Sequence, residues 1–187
     1  MSSQLPLHIG LRDSATFANF FSGPNAQLLH CLEQGREPFV YLWGGPSSGK
    51  SHLLQAVCHA ASEAGAASVY LPLAELVNMS PQLLEGLEQM QIIAIEDVES
   101  VASNREWEVG LFNLYNRVRE QGGRLYVSGS APPASLGLTL PDLVSRLGWG
   151  PVFHLEALSD EEKLRALQLR AERRGMALPD EVAGYLM

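Results

Sequence analysis

Lys50 and Ser51, Glu96 and Asp97, and Arg146 are the side chains in this 187-residue chain whose types and spacing can do chemistry. Gly44-Gly45-Pro46-Ser47-Ser48-Gly49-Lys50-Ser51 has the Gly-x-x-x-x-Gly-Lys-Ser spacing of a phosphate-binding loop. Its glycines let backbone N–H groups curl around phosphate oxygens, and a helix N-terminus behind them adds partial positive charge. Lys50 is expected to reach the β- and γ-phosphates, and the Ser51 hydroxyl to ligate Mg²⁺. Glu96-Asp97 closes the apolar run Ile92-Ile93-Ala94-Ile95. In that pattern one carboxylate holds the metal and a following one orients an attacking water. The order here, Glu then Asp, reverses the usual one of hydrolysing enzymes. The longer Glu96 still reaches the metal shell, whereas Asp97 stands about one methylene short as a water-positioning base, and rates respond strongly to displacements of that size. The site is read as one that binds a nucleotide and hydrolyses it poorly.

Arg146 falls in a short helical run that ends Gly148-Trp149-Gly150. Such an arginine is either a finger presented to a nucleotide on a neighbouring subunit or one half of a surface salt bridge; the residues alone leave both open. Ser128 and Ser130 follow a strand, and parallel strands gather ligand-facing groups at their C-terminal ends, so either serine is a candidate to see the γ-phosphate.

These side chains need an alternating scaffold, and the chain supplies one. Phe39–Trp43, Ser68–Leu71, Gln91–Ile95, Arg124–Ser128 and Val152–Leu155 read as strands. A helix is expected from about Gly49 to Ala64, stopped by Gly65, and another from Asn104 to Gln121, stopped by Gly122-Gly123. Trp107, Leu111, Leu114, Tyr115 and Val118 form the core stripe of the second. Leu73–Met90 carries two weak helical patterns divided near Ser80-Pro81. Upstream, Phe17, Phe20 and Phe21 lie on or near one side of a short helix before the break at Ser22-Gly23-Pro24, either beside a bound base or in the core. Ser159-Asp160-Glu161-Glu162 is a capping box opening a further helix. Five strands alternating with helices make an α/β fold, a P-loop αβα sandwich with a five-stranded parallel sheet, followed by the start of a helical lid. The helix opening at Pro179 reaches Met187 after barely two turns with no breaker, so the lid is expected to be truncated.

Hydrophobic content of 46% and charged content of 18% describe an ordinary globular chain. The net charge of −8 argues against broad binding to a nucleic-acid backbone. No apolar run suits a membrane span, no secretory signal opens the chain, and Cys31 and Cys58 lack metal spacing; a cytoplasmic protein with reduced thiols is expected. Gln4-Leu5-Pro6-Leu7-His8-Ile9 alternates apolar residues around a proline, which suits a frayed edge strand or a peptide docking in a partner's groove.

Gly44–Ser51 continuing into His52-Leu53-Leu54 resembles the P-loop of DnaA-type AAA+ proteins. Ser145-Arg146-Leu147-Gly148-Trp149-Gly150 is similar to that family's box VII, whose arginine is a finger. Phe17 to Asn25 is similar to its Phe-x-x-Phe…Gly-x-x-Asn motif by the adenine, which implies a base pocket at Phe17, Phe21 and Asn25. The resemblance covers residues 13–187, with an AAA+ domain over 13–157 and the lid beginning at 158–187. Within the family the chain looks like its short regulatory members. Residues 1–12 resemble their sliding-clamp-binding peptide, with Gln4, Leu5, Leu7 and Ile9 as contacts, and Asn113–Arg117 and Leu140–Leu147 resemble their versions of these stretches. That resemblance implies a negative regulator of replication initiation that holds ADP (or ATP) with Mg²⁺. It would bind the β-subunit clamp of DNA polymerase III, meet DNA only through it, and use Arg146 in trans to stimulate ATP hydrolysis by DnaA. A homo-oligomer is compatible with it. The alternative is a self-hydrolysing DnaA-like ATPase of the helicase-loader type.

Overall fold

A computed structural model describes residues 15–173 and 175–179. Five strands, β1 (Phe39–Trp43), β2 (Ser68–Pro72), β3 (Ile92–Glu96), β4 (Arg124–Gly129) and β5 (Val152–His154), form one parallel sheet in the order β2-β3-β4-β1-β5. β3 is buried throughout and β1, β2 and β4 largely so, as the interior of a parallel sheet covered on both faces requires, while Val152 leaves the edge strand β5 partly open. One face packs on α1 (Ala26–Gln34) and α2 (Lys50–Glu63), through Leu28, Leu42, Leu53, Leu54, Val57 and Tyr126. The other packs on α4 (Arg105–Gln121) and α5 (Pro141–Leu147), through Tyr41, Ile93, Trp107, Leu114, Leu143 and Leu147; the short α3 (Leu73–Leu76) joins this layer. α6 (Asp160–Arg173) follows the sheet as the start of the lid. The expected architecture is therefore present.

α4 obeys its stripe. Trp107, Leu111, Leu114, Tyr115 and Val118 are all buried, the Asn104 side chain accepts from Trp107 N at 3.4 Å, and Gly122 closes the helix at φ 71°. The capping box at α6 also forms: Ser159 N donates to Glu162 Oε2 at 2.8 Å and Glu162 N to Ser159 Oγ at 3.3 Å. Two expected helical stretches shorten. Leu73–Met90 becomes α3 and two 3₁₀ turns, Pro81–Leu84 and Leu87–Gln89, because Pro81 and the left-handed Gly86 break the run. Phe17–Asn19 and Gly23–Asn25 are single 3₁₀ turns on either side of Ser22.

Glu108 anchors the loop between β4 and α5. Although fully buried, its carboxylate accepts from Ser103 N (2.8 Å), Thr139 N (2.9 Å), Thr139 Oγ1 (3.1 Å) and Leu140 N (2.6 Å). Burial pushes its pKa up, but these donors favour the charged form more strongly and leave it below the usual glutamate value. A depressed folded pKa stabilises fully above the unfolded value of about 4.3, and that stability is lost as pH falls through the lower folded value. Glu108→Gln is expected to cost about 1–3 kcal/mol in urea unfolding at pH 7, with the gap to the parent narrowing below pH 4.

Candidate functional site

The phosphate loop runs from the end of β1 into α2. Ser47 (φ 59°) and Gly49 (φ 107°) both take left-handed backbone, which folds the loop over its own N–H groups. Gly49 is needed for space as well as angle: a Cβ there would stand 2.8 Å from the Phe20 ring. A Cβ on Gly44 would meet the Leu155 carbonyl at 2.6 Å, so the chain just past β5 closes the loop from behind. Lys50 turns its ammonium back onto the carbonyls of Gly44 (2.9 Å) and Gly45 (3.0 Å). Ser48 Oγ is buried and has no protein partner. An orphaned hydroxyl, an ammonium spanning the loop and the head of a helix form a set that suits a phosphate chain.

Glu96 is buried at the end of β3, where Ser51 and Tyr70 both hydrogen-bond its carboxylate. One hydroxyl and one carboxylate beside a phosphate loop are the protein share that Mg²⁺ takes in nucleotide sites. The residues present therefore fit both a nucleotide and its metal. Asp97 follows in left-handed backbone at φ 53°. Desolvation and the neighbouring Glu99 raise its pKa, while Lys50 lowers it. A left-handed backbone sets Asp97 apart from Glu96, though both stand at the same strand end.

Beside the loop lies a cleft of about 710 Å³. Asn19, Phe20 and Phe21 line one side, Ser47 to Gly49 and His52 the floor, and Leu158, Lys163 and Leu167 from the lid the other side. Phe20 tilts against the His52 ring at 5.6 Å, and His52 Nε2 pairs with the Thr16 carbonyl at 2.8 Å. Phe17 is outside the cleft lining and packs on the α1–α2 core; Phe20 takes the position at the loop. Asn25 does line the cleft, but its amide is engaged by the backbone of Glu156: Nδ2 donates to Glu156 O at 3.0 Å and Oδ1 accepts from Glu156 N at 2.8 Å. Asn25→Ala is expected to cost about 1–3 kcal/mol, a few degrees in Tm, and to weaken nucleotide binding with it. A role confined to base contact would lower affinity and leave the melting curve unchanged.

Ser128 is fully buried within β4, and its Oγ has no protein partner; Ser130 is exposed one step past the strand. Arg146 belongs to the α4–α5 layer and is not among the residues lining the cleft. Among the described residues it makes no ion pair, and its guanidinium stacks instead on Trp149. Gln4, Leu5, Leu7 and Ile9 lie outside the described residues.

Sequence reading grouped Phe20 with Phe17 and Phe21 without separating their places, and missed Tyr70 and the lid residues of the cleft. Strand parity points Tyr70 to the face of Glu96 once β2 and β3 are known to be neighbours, and Asp160, Lys163 and Leu167 share one helical face.

Residues 11–154 match the family model described as bacterial DnaA ATPase domain, and residues 160–187 match that described as the Hda lid domain. Domain III of the Thermotoga maritima replication initiation protein DnaA has the same fold, with a TM-score of 0.81 at 24% identity over 95% of this chain and 81% of its own. AMPPCP-bound DnaA from Aquifex aeolicus superposes with a TM-score of 0.78 at 20% identity, over 94% of this chain; the chain spans 60% of that protein. The DnaI structure is more distant, with a TM-score of 0.61 at 13% identity over 72% of this chain and 82% of its own.

Proposed function

We infer, because this chain belongs to the bacterial DnaA ATPase-domain family and is an Hda-type DnaA homologue, that it restrains DNA replication initiation by acting on DnaA itself. It holds ADP and Mg²⁺ at Gly44–Ser51 and Glu96, as a resident ligand that fixes the lid against the core. Lys50 and the loop N–H groups bind the phosphates, Ser51 and Glu96 hold the metal, Phe20 and Phe21 flank the base, and Ser128 or Ser130 senses the phosphate end. The chemistry it promotes takes place in DnaA, where the Arg146 guanidinium offsets charge on the transferring phosphoryl group.

The observation that carries this reading is the place of Arg146. It sits in the layer opposite the P-loop helix, outside its own cleft, with no carboxylate engaging it among the described residues. An arginine so placed is available to a second molecule's nucleotide. Asp97, shorter than a glutamate by one methylene and held in left-handed backbone, is a poor water-positioning base, which suits a protein that keeps its own nucleotide.

The test is hydrolysis of DnaA-bound ATP with the clamp loaded on DNA, with and without this protein. Acceleration by this protein, together with little turnover of its own, is expected. Intrinsic turnover near ~1 s⁻¹, the low end of typical enzymes, would instead favour a self-hydrolysing ATPase. The Gln4–Ile9 peptide is proposed to dock on the clamp, in a cytoplasmic setting. Gln4→Ala combined with Leu7→Ala is expected to abolish co-elution with the clamp and to spare nucleotide binding.

A further inference from the structure

Arg146 Cζ stands 3.8 Å from the centroid of the Trp149 ring, with Phe112 and Tyr115 farther off at 5.7 and 6.0 Å. Trp149 is 55% exposed, although an indole of that size ordinarily buries most of its surface. Its setting is rigid. Its backbone N donates to the Arg146 carbonyl at 3.1 Å, and Tyr115 meets the ring edge-on at 6.2 Å. The following Gly150 runs so close to β1 that a Cβ would fall 1.9 Å from the Phe39 carbonyl, which leaves the segment no slack. Arg119, from the last turn of α4, lies over the same ring at 5.3 Å.

The way the guanidinium is held matters as much as the fact that it is held. A carboxylate partner would occupy its N–H edge, the edge that binds phosphate. A ring takes only its face, so all five N–H donors stay free in one plane. An unrestrained arginine would instead have to give up its rotamer freedom to become ordered at a phosphate.

We propose that Trp149 is a positioning residue: its indole holds the Arg146 guanidinium flat on the α5 surface, N–H edge outward, so that the finger meets a partner's phosphates already oriented. This rests on the reading of Arg146 as a finger acting in trans. Arg119 adds a second cation to the same patch, in a chain whose net charge is −8, and makes this spot attractive to an anion.

Two measurements test it. In the clamp-dependent assay, Trp149→Ala is expected to lower the maximal rate of DnaA ATP hydrolysis about two- to fivefold, the worth of one exposed cation–π contact, with the half-saturating concentration of this protein unchanged. Trp149→Phe should recover most of the loss, and Trp149→Ala should add nothing to Arg146→Ala. A change in half-saturation alone, or no change, overturns the proposal. In the isolated full chain, the Arg146 side-chain NMR signals should carry an upfield ring-current shift that Trp149→Ala removes. If that shift is absent while Arg146→Ala still abolishes stimulation, the positioning role falls and the finger stands. If the shift is present but Arg146→Ala leaves stimulation intact, the finger reading falls and the positioning role falls with it.

Discussion

Arg146→Ala should leave the fold and nucleotide binding unchanged while removing about 10³-fold or more of the stimulated hydrolysis of DnaA-bound ATP. The fold is expected to tolerate the change because Arg146 makes no ion pair among the described residues, and its stack on a half-exposed ring contributes only about 0.5–1 kcal/mol. The loss of rate is expected to be large because a guanidinium works in the transition state, where charge spreads over the phosphoryl oxygens and planar, paired N–H donors match it. Arg146→Lys should recover little, since an ammonium keeps the charge and loses the fork. The measurement is single-turnover hydrolysis of DnaA-bound ATP on clamp-loaded DNA, with circular dichroism as the check on folding. Retention of more than about a tenth of the stimulated rate would move the finger to another residue.

The second large effect is at Lys50. Its ammonium bridges the Gly44 and Gly45 carbonyls, and a phosphate chain would draw it from them into charge-assisted hydrogen bonds. Such bonds contribute about 1.5–3 kcal/mol each, so losing two weakens nucleotide binding by roughly 10²–10⁴-fold. Lys50→Ala should therefore titrate with ADP only at concentrations far above the parent's, by calorimetry or by a fluorescent nucleotide analogue. Fold stability without nucleotide should barely move. Affinity within threefold of the parent would mean that the backbone N–H groups hold the phosphates unaided.

Much of this site could be read in the residues because each part is local. The P-loop is a contiguous segment, α4 carries its own stripe with Asn104 and Gly122 at its two ends, and the α6 box is four consecutive residues. The parts that were not legible depend on neighbours set by the sheet order. Tyr70 reaches Glu96 because β2 lies beside β3; Trp149 lies under Arg146 because Gly150 is pressed against β1. Phe17 and Phe20 are equivalent as sequence. Both pack on the α1–α2 core, and the 3₁₀ turn that ends at Asn19 brings only Phe20 of the two against Gly49. The weak patterns over Leu73–Met90 survive only as the short α3 and two 3₁₀ turns because no sustained apolar face offset Pro81 and Gly86.

The pairing of Asn25 with Glu156 spans 131 residues, and nearby Gly23 is packed so tightly against Leu158 that a Cβ would stand 2.8 Å from its side chain. The first segment described and the approach to α6 are thus fastened to each other across the mouth of the cleft. A nucleotide seated there would touch both, and so would act as a noncovalent circularising bond between these two segments. Its binding energy would appear as resistance of these two segments to protease, about 2.7 kcal/mol at a hundredfold excess over Kd. Release of the nucleotide would weaken that closure while leaving the Asn25–Glu156 pair and the sheet in place.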